Sequence, residues 1–271
     1  MSTPAILGNL LDFRRLDQVA TGDSLVHRVD ARAKVLVAIA FIVCVMSFGR
    51  YEVARLVPFF AFPLVTVAWA RIPAGIVLRK ALLVLPVALL IGLPNPFFDR
   101  GTLLDVNGVA ISGGWVSLAS IVLRSLLAAA ASVVLVAVTG FPAICEALER
   151  LGMPRPLAMQ LLFLYRYLGV LGEEALRMNA AHEQRSNGHA LTIGGFGRLT
   201  GRLLLRTWDR AERIYLSMCA RGFDGAIRRG QSTPFGRMDW AFLCGWWALF
   251  ALLRTQDVAQ WLGASALGVL P

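Results

Sequence analysis

Two arginine-centred motifs carry the chemistry this chain offers. Gln184-Arg185-Ser186 and Ala220-Arg221-Gly222 each sit near the end of a predicted helix, within one long basic segment held between apolar stretches. A guanidinium presents five donors in a planar fork and stays charged, so two of them at helix ends form handles for something acidic. The surroundings repeat loosely: Glu-Gln-Arg-Ser-Asn-Gly over 183–188 and Cys-Ala-Arg-Gly-Phe-Asp-Gly over 219–225, each with an arginine eight residues upstream, Arg177 and Arg213. A cation near a helix C-terminus is favoured by the helix dipole in any case. On local physics alone a structural role competes with a docking role.

No other residues assemble a reaction centre. Residues 191–197 (Leu-Thr-Ile-Gly-Gly-Phe-Gly) lack a Gly-Lys-Ser/Thr ending and follow no predicted strand, so they are neither a P-loop nor a dinucleotide fingerprint. A flexible connection between helices is the expectation. Paired acid–base residues are absent, and no catalytic residue is assigned. His27, His182 and His189 are dispersed; the last two could approach across a turn, but no metal site is expected. Cys44, Cys145, Cys219 and Cys244 are scattered without a CxxC, which argues against a disulfide frame or a zinc site.

The elements that must position the arginines are membrane elements. A mean hydropathy of +0.63 and 57% hydrophobic residues are too apolar for an ordinary soluble domain. The charge-poor stretches are roughly 20 residues long, about one bilayer crossing. Strands of alternating polarity, the mark of a membrane barrel, are absent. The sequence therefore predicts an all-α, polytopic helical membrane protein of about five transmembrane helices, with a long cytoplasmic segment between the last two. The spans fall at residues 34–48, 54–70, 81–93, 115–138 and 240–253, the third starting about a turn earlier and the last open to extension past Arg254. A break near Gly263 leaves room for a further short helix. The chain divides into residues 1–139 (N-terminal lead and four spans), 140–237 (the cytoplasmic segment) and 238–271 (the C-terminal transmembrane segment).

Arginine distribution orients the spans. With the N-terminus cytoplasmic, the inner side receives Arg14, Arg15, Arg28, Arg32, Lys34, Arg71, Arg79, Lys80 and the fourteen arginines of 140–237. The outer side receives Arg50, Arg55, Arg100 and Arg254, a strong positive-inside bias that puts the C-terminus outside. No cleavable signal peptide is expected, because no apolar run precedes Lys34; the first span should serve as the insertion signal. Kinks are expected at Pro58, Pro63 and Pro86, and an outer turn at Pro94-Asn95-Pro96. Arg124, about ten residues into the fourth span, should face protein, with Asp99, Asp105 or backbone carbonyls as partners. A structural packing or snorkelling charge and a substrate-path residue are its two readings. The predicted spans hold no Asp or Glu, which argues against an ion-coupled carrier working alone.

In the cytoplasmic segment, Phe141, Ile144, Cys145, Leu148 and Leu151 recur at helical spacing, and Gly152 and Pro154 end that helix. A second helix starts near Pro156, packs its apolar half against the base of the membrane bundle, and stops at Asn187-Gly188. A third covers 198–221, with Arg198, Arg202, Arg206 and Arg210 along one face and Leu199, Leu203, Trp208, Ala211, Tyr215, Met218 and Cys219 along the other; Gly222 and Gly225 close it. The arginine stripe is a solvated face or, beside a membrane, a contact for anionic lipid headgroups. A nucleic-acid footprint is set aside, because the positive-inside bias already explains the basicity.

The whole layout resembles the T component of energy-coupling factor transporters, and within that group the CbiQ family. The resemblance rests on Gly22-Asp23-Ser24…His27-Arg28-Val29-Asp30…Arg32…Lys34, on Asn95-Pro96-Phe97-Phe98-Asp99-Arg100, on Leu161–Tyr167, on Glu173-Glu174-Ala175-Leu176-Arg177-Met178, and on both arginine motifs. It implies that the arginines end coupling helices docked in grooves of two cytoplasmic ABC-type ATPase subunits, through charge-assisted hydrogen bonds to acidic residues. The second motif matches the family form fully; the first carries Gln184 in place of alanine. The resemblance further implies a non-catalytic subunit of an ATP-driven cobalt importer in the bacterial inner membrane. ATP and magnesium would sit on the partner ATPases, and the metal on a CbiM-like membrane subunit, with a small CbiN-like subunit as a further partner. Rival readings are a T component for nickel or a vitamin, a membrane-embedded enzyme with a cytoplasmic active site, and a stand-alone channel or carrier.

Overall fold

The computed structural model describes residues 22, 24–98, 102–106, 109–186, 192–223 and 235–255. The expected stops at Asn187-Gly188 and Gly225, the partners Asp99 and the Asp105 side chain, His189 and any helix near Gly263 lie outside the described residues. The described elements fall into two compact units, one built from residues before Gly140 and after Pro234, the other from residues 141–223.

In the first unit, α1 (Leu25–Arg28) leads into α2 (Ala31–Met46). The second span is α3 (Val53–Leu56), a 3-10 segment (Val57–Phe60) and α4 (Ala61–Ala70), and the third is α5 (Ala74–Leu82) with α6 (Leu85–Gly92). After α7 (Asn95–Phe98) and an antiparallel pair, β1 (Thr102–Val106) and β2 (Val109–Ser112), comes α8 (Gly113–Thr139); α12 (Arg237–Thr255) closes the unit. Among the described residues, three helical stretches are long and apolar enough to cross a membrane: Val53–Ala70, Ala74–Gly92 and Gly113–Thr139. At 16 residues α2 reaches only about 24 Å, and α12 carries Arg237, Asp239 and Arg254 at its ends. The protein is thus an α-helical, multi-pass membrane fold with several apolar helices.

Helix α8 is the hub, packing against α2, α4, α5, α6 and α7. Beside it lies an aromatic cluster: Phe41 of α2 stacks on Phe62 at 4.5 Å between ring centres and lies 5.5 Å from Phe250 of α12, while Trp246 meets Phe62 edge-on at 4.8 Å. Lipid chains are as apolar as these rings, so close packing and ring geometry, rather than expulsion of water, hold the cluster together. Leu64, Leu83, Leu90 and Ile91 face outward. Three hydroxyls on the spans are satisfied by back-bonding: Thr66 donates to the Phe62 carbonyl at 2.7 Å, Ser125 to Ile121 at 2.8 Å and Ser132 to Ala128 at 2.8 Å.

Several expectations shift. The third span starts at Ala74, earlier than the expected start about a turn before residue 81, so Arg79 and Lys80 lie inside its helix. That helix breaks at Leu83-Val84, with Pro86 in the first turn of α6; Pro58 sits in the 3-10 segment, and Pro63 lies in the first turn of α4. Where an outer turn is expected at Pro94-Asn95-Pro96, residues 95–98 form the short helix α7, which rests on α8 where Asn95 donates to the Ser117 hydroxyl at 3.0 Å. The β1–β2 pair was not anticipated, although its signal stands in the sequence: Asn107-Gly108 between two β-branched runs favours a two-residue hairpin.

Candidate arginine-ended coupling helices

The second unit contains α9 (Phe141–Arg150), α10 (Arg155–Arg185) and α11 (Ile193–Ala220). Ile144, Cys145 and Ala147 of α9 are buried, and the Phe141 ring stacks on Tyr165 of α10 at 4.7 Å. Glu146 and Arg150 form an ion pair along α9. Pro156 occupies the first turn of α10, where a missing N–H costs nothing.

The α10–α11 pairing turns on Glu174. Its carboxylate accepts from Arg177 at 2.8 Å on its own helix and from Arg206 of α11 at 2.5 Å. The two guanidiniums, Arg177 first and then Arg206, hold this carboxyl below the ordinary carboxylate range. A groove beside the pair is lined by Leu171, Leu203, Thr207, Arg210 and Arg213. Glu174 precedes the end of α10 by eleven residues and Arg206 follows the start of α11 by thirteen, so the ion pair closes a helical hairpin with nearly equal arms. Arg185 then stands about 16 Å from this crossing along the α10 axis and Arg221 about 22 Å from it along the α11 axis.

Each motif ends its helix. Gln184, Arg185, Ala220, Arg221 and Gly222 are exposed and Ser186 is half-buried. Neither motif guanidinium has an ion pair or hydrogen bond among the described residues. The ends differ by one position: Arg185 is the last helical residue with Ser186 as cap (φ −93°, ψ 9°), whereas Arg221 is itself the cap (φ −93°, ψ 10°). Gly222 follows at φ +77°, its N–H bonding the Cys219 carbonyl at 3.0 Å, and the Phe223 N–H returns to Met218 at 3.1 Å. That is a Schellman ending, which asks for glycine at this position. In the first motif, Ser186 donates its N–H to His182 at 2.9 Å.

Two expectations about α11 are corrected. The glycine-rich stretch is helical from Ile193 on, because the Thr192 side chain accepts from the Gly195 N–H at 3.2 Å and caps the helix early. The apolar face is also divided. Leu199, Leu203, Thr207, Arg210, Ile214 and Met218 are half-buried, while Trp208 and Tyr215, expected beside Leu203, stay 73% and 60% exposed. Leu204, Leu205 and Leu216 join them on the open side.

Arg124 bonds the Gly49 carbonyl of the turn between α2 and α3, which fits the structural reading with a backbone partner. Among the described residues no group of three His, Cys, Asp or Glu could hold a metal ion. Sequence reasoning overlooked Glu174 as a crossing residue; the one signal it had was Arg177 three residues on.

The family profile for CbiQ, described as cobalt transport protein, matches residues 22–233. The energy-coupling factor transporter transmembrane protein EcfT of Acidaminococcus fermentans is 26% identical over 267 residues, covering 88% of this chain and 94% of that protein. The protein of the same name from Listeria innocua is 25% identical, covering 84% and 90%. A putative fused cobalt transport protein CbiMQ of Methanocorpusculum labreanum is 29% identical over 128 residues, 45% of this chain and 21% of that protein. The chain belongs to the CbiQ family: it is a non-catalytic transmembrane (T) subunit of an energy-coupling factor transporter, linking ATPase subunits to a substrate-binding membrane protein.

Proposed function

We propose that this chain is the T subunit of a cobalt importer and that Arg185 and Arg221 are its two points of contact with a pair of cytoplasmic ATPases. The observation that carries the docking role is a pair of guanidiniums without a partner among the described residues, each at the exposed end of a long helix, on two helices that cross at Glu174–Arg206. A planar fork at a helix end suits a carboxylate in a partner's groove, where the bond is charge-assisted. ATP and magnesium belong to the ATPases. Their closure draws the helix ends together, and the hairpin passes that displacement to the membrane spans.

In this reading residues 140–237 face the cytoplasm between the fourth and fifth spans of a bacterial inner-membrane protein. Residues 1–139 and 238–271 supply the membrane part, and the N-terminus lies inside, as the arginine distribution requires. Cobalt is favoured by the description of the matching family and by the name of the fused archaeal relative. That fused name also supports a CbiM-like substrate-binding partner; a small CbiN-like subunit is a further partner of this reading. A nickel or vitamin substrate is the second reading, because the two EcfT relatives cover more of the chain than the cobalt-named one. The test is uptake of labelled cobalt, nickel and vitamins by the complex reconstituted with its natural partners. ATP-dependent cobalt uptake is expected. Exclusive nickel or vitamin uptake would overturn the cobalt assignment, and flux through the chain alone would overturn the T role itself.

A further inference from the structure

The N-terminal run Ser24…His27…Asp30…Arg32…Lys34 lies outside the two arginine motifs proposed for ATPase docking, and it is tied to the far end of the chain. Asp239, in the first turn of α12, is 8% exposed. One carboxylate oxygen accepts the Gly236 N–H at 2.8 Å, and Gly236 is where α12 begins, its carbonyl taking the N–H groups of Asp239 and Trp240. The other oxygen accepts the Asp30 N–H at 2.7 Å, 209 residues away in sequence. Asp30 itself caps α2 by accepting the Arg32 N–H at 2.8 Å. A single carboxylate therefore closes the N-terminus of the last helix and holds that of the first.

The charges fit this arrangement. Lys34, 7% exposed, donates to the His27 carbonyl at 3.3 Å in the first turn of α2. An ammonium is disfavoured at a helix N-terminus, so its burial there calls for the neighbouring carboxylates of Asp30 and Asp239. At the outer end, Arg254 of α12 donates to the carbonyl and hydroxyl of Ser47, both at 3.2 Å, and lies over the Phe48 ring at 4.2 Å. Between these ties, Phe41 packs on Phe250. The first and last helices are pinned at both ends and along their length.

The chain passes between the arginine-bearing unit and the membrane unit at two places, Gly140 between α8 and α9 and the sixteen residues that join the end of α11 to the start of α12, so the N-terminus of α12 is one of the two re-entry points. We propose that Asp239 is a positioning residue of the transport cycle: it fixes this re-entry point to α2, so that α2 and α12 move as one body. The proposal rests on the coupling role above. Its readout is taken with ATPases bound, so that loss of docking and loss of transmission are separable.

Two measurements on the assembled complex test it. Asp239→Asn and Asp239→Ala should leave ATPase co-purification and ATP hydrolysis in place and lower substrate transported per ATP by about tenfold or more, since two charge-assisted bonds are weakened or lost. An unchanged ratio in both variants overturns the proposal. Independently, spin labels at the exposed positions Ile39 and Met238, in a functional background without the native cysteines, report the α2–α12 separation in wild-type form. The expected result is one distance distribution in every nucleotide state. A shift of several ångströms between states overturns the proposal even where the Asp239 variants fail to assemble.

Discussion

The same substitution inside α11 and just past its end should have opposite effects. At Gly222 the backbone has φ +77°, and its N–H and that of Phe223 close the helix end that carries Arg221. An L-residue there costs about 1–2 kcal/mol. If the last turn unwinds to relieve that strain, the docking-competent end becomes up to about 5–30 times rarer, and apparent ATPase affinity falls by the same factor. At Gly201, inside the helix, a new Cβ meets nothing within 4 Å. Alanine there should strengthen the helix by about 0.5–1 kcal/mol. The assay is ATPase binding to the chain in nanodiscs, with helicity followed in parallel. Gly222→Ala should weaken binding, Gly222→Asn should recover part of it because asparagine tolerates the left-handed region, and Gly201→Ala should leave binding equal or better. Wild-type affinity in Gly222→Ala would refute the idea that the wound helix end presents Arg221.

Three further outcomes follow from the packing. Glu174→Arg or Arg206→Glu should loosen the α10–α11 hairpin and raise protease cleavage within it, and the charge-swapped double variant should restore protection. Because the Glu174 carboxyl is held low in the folded protein, its contribution is complete above the ordinary carboxylate value and is lost as pH falls through the depressed one; protection of the hairpin should therefore be flat from pH 8 to about 5 and fall only in stronger acid. Gly114→Ala should detach α7 from α8, since the new Cβ would overlap the Pro96 Cα and stand 2.6 Å from the Asn95 carbonyl oxygen; cleavage between residues 93 and 112 reports it. Phe41→Ala removes a fully buried ring, about 100 Å³ at about 24 cal/mol per Å³, and should cost about 2.4 kcal/mol. That is below the figure for a water-soluble core, because lipid offers no transfer term, and thermal unfolding in detergent checks it.

The membrane helices were legible because apolar runs and arginine clusters are one-dimensional signals. The second and fourth spans match the predicted ranges within two residues at each end. The third starts earlier than the turn allowed before residue 81, because Arg79 and Lys80 look like a loop in sequence while the helix from Ala74 carries both in its last turn. The helical segments around both arginine motifs were also legible, from Pro156 and from the Gly222 ending. What could not be read was pairing between distant positions. Arg206 looked like one member of a solvated stripe until Glu174 met it, and nothing in the sequence singles out Asp239, whose second oxygen meets Asp30. The hidden early start of α11 has a local cause: Thr192 caps a helix whose first turns hold three glycines, and propensity alone disfavours it.

The most direct measurement compares Arg185→Glu, Arg221→Glu and the double variant for ATPase co-purification and metal uptake, with membrane insertion verified. The account predicts that the double variant inserts normally, loses its ATPases and transports nothing. Each single variant should be weakened, and Arg→Lys should fall between, because lysine keeps the charge and loses the planar fork. A double variant that assembles with its ATPases and imports metal at the wild-type rate would contradict the docking role of both arginines.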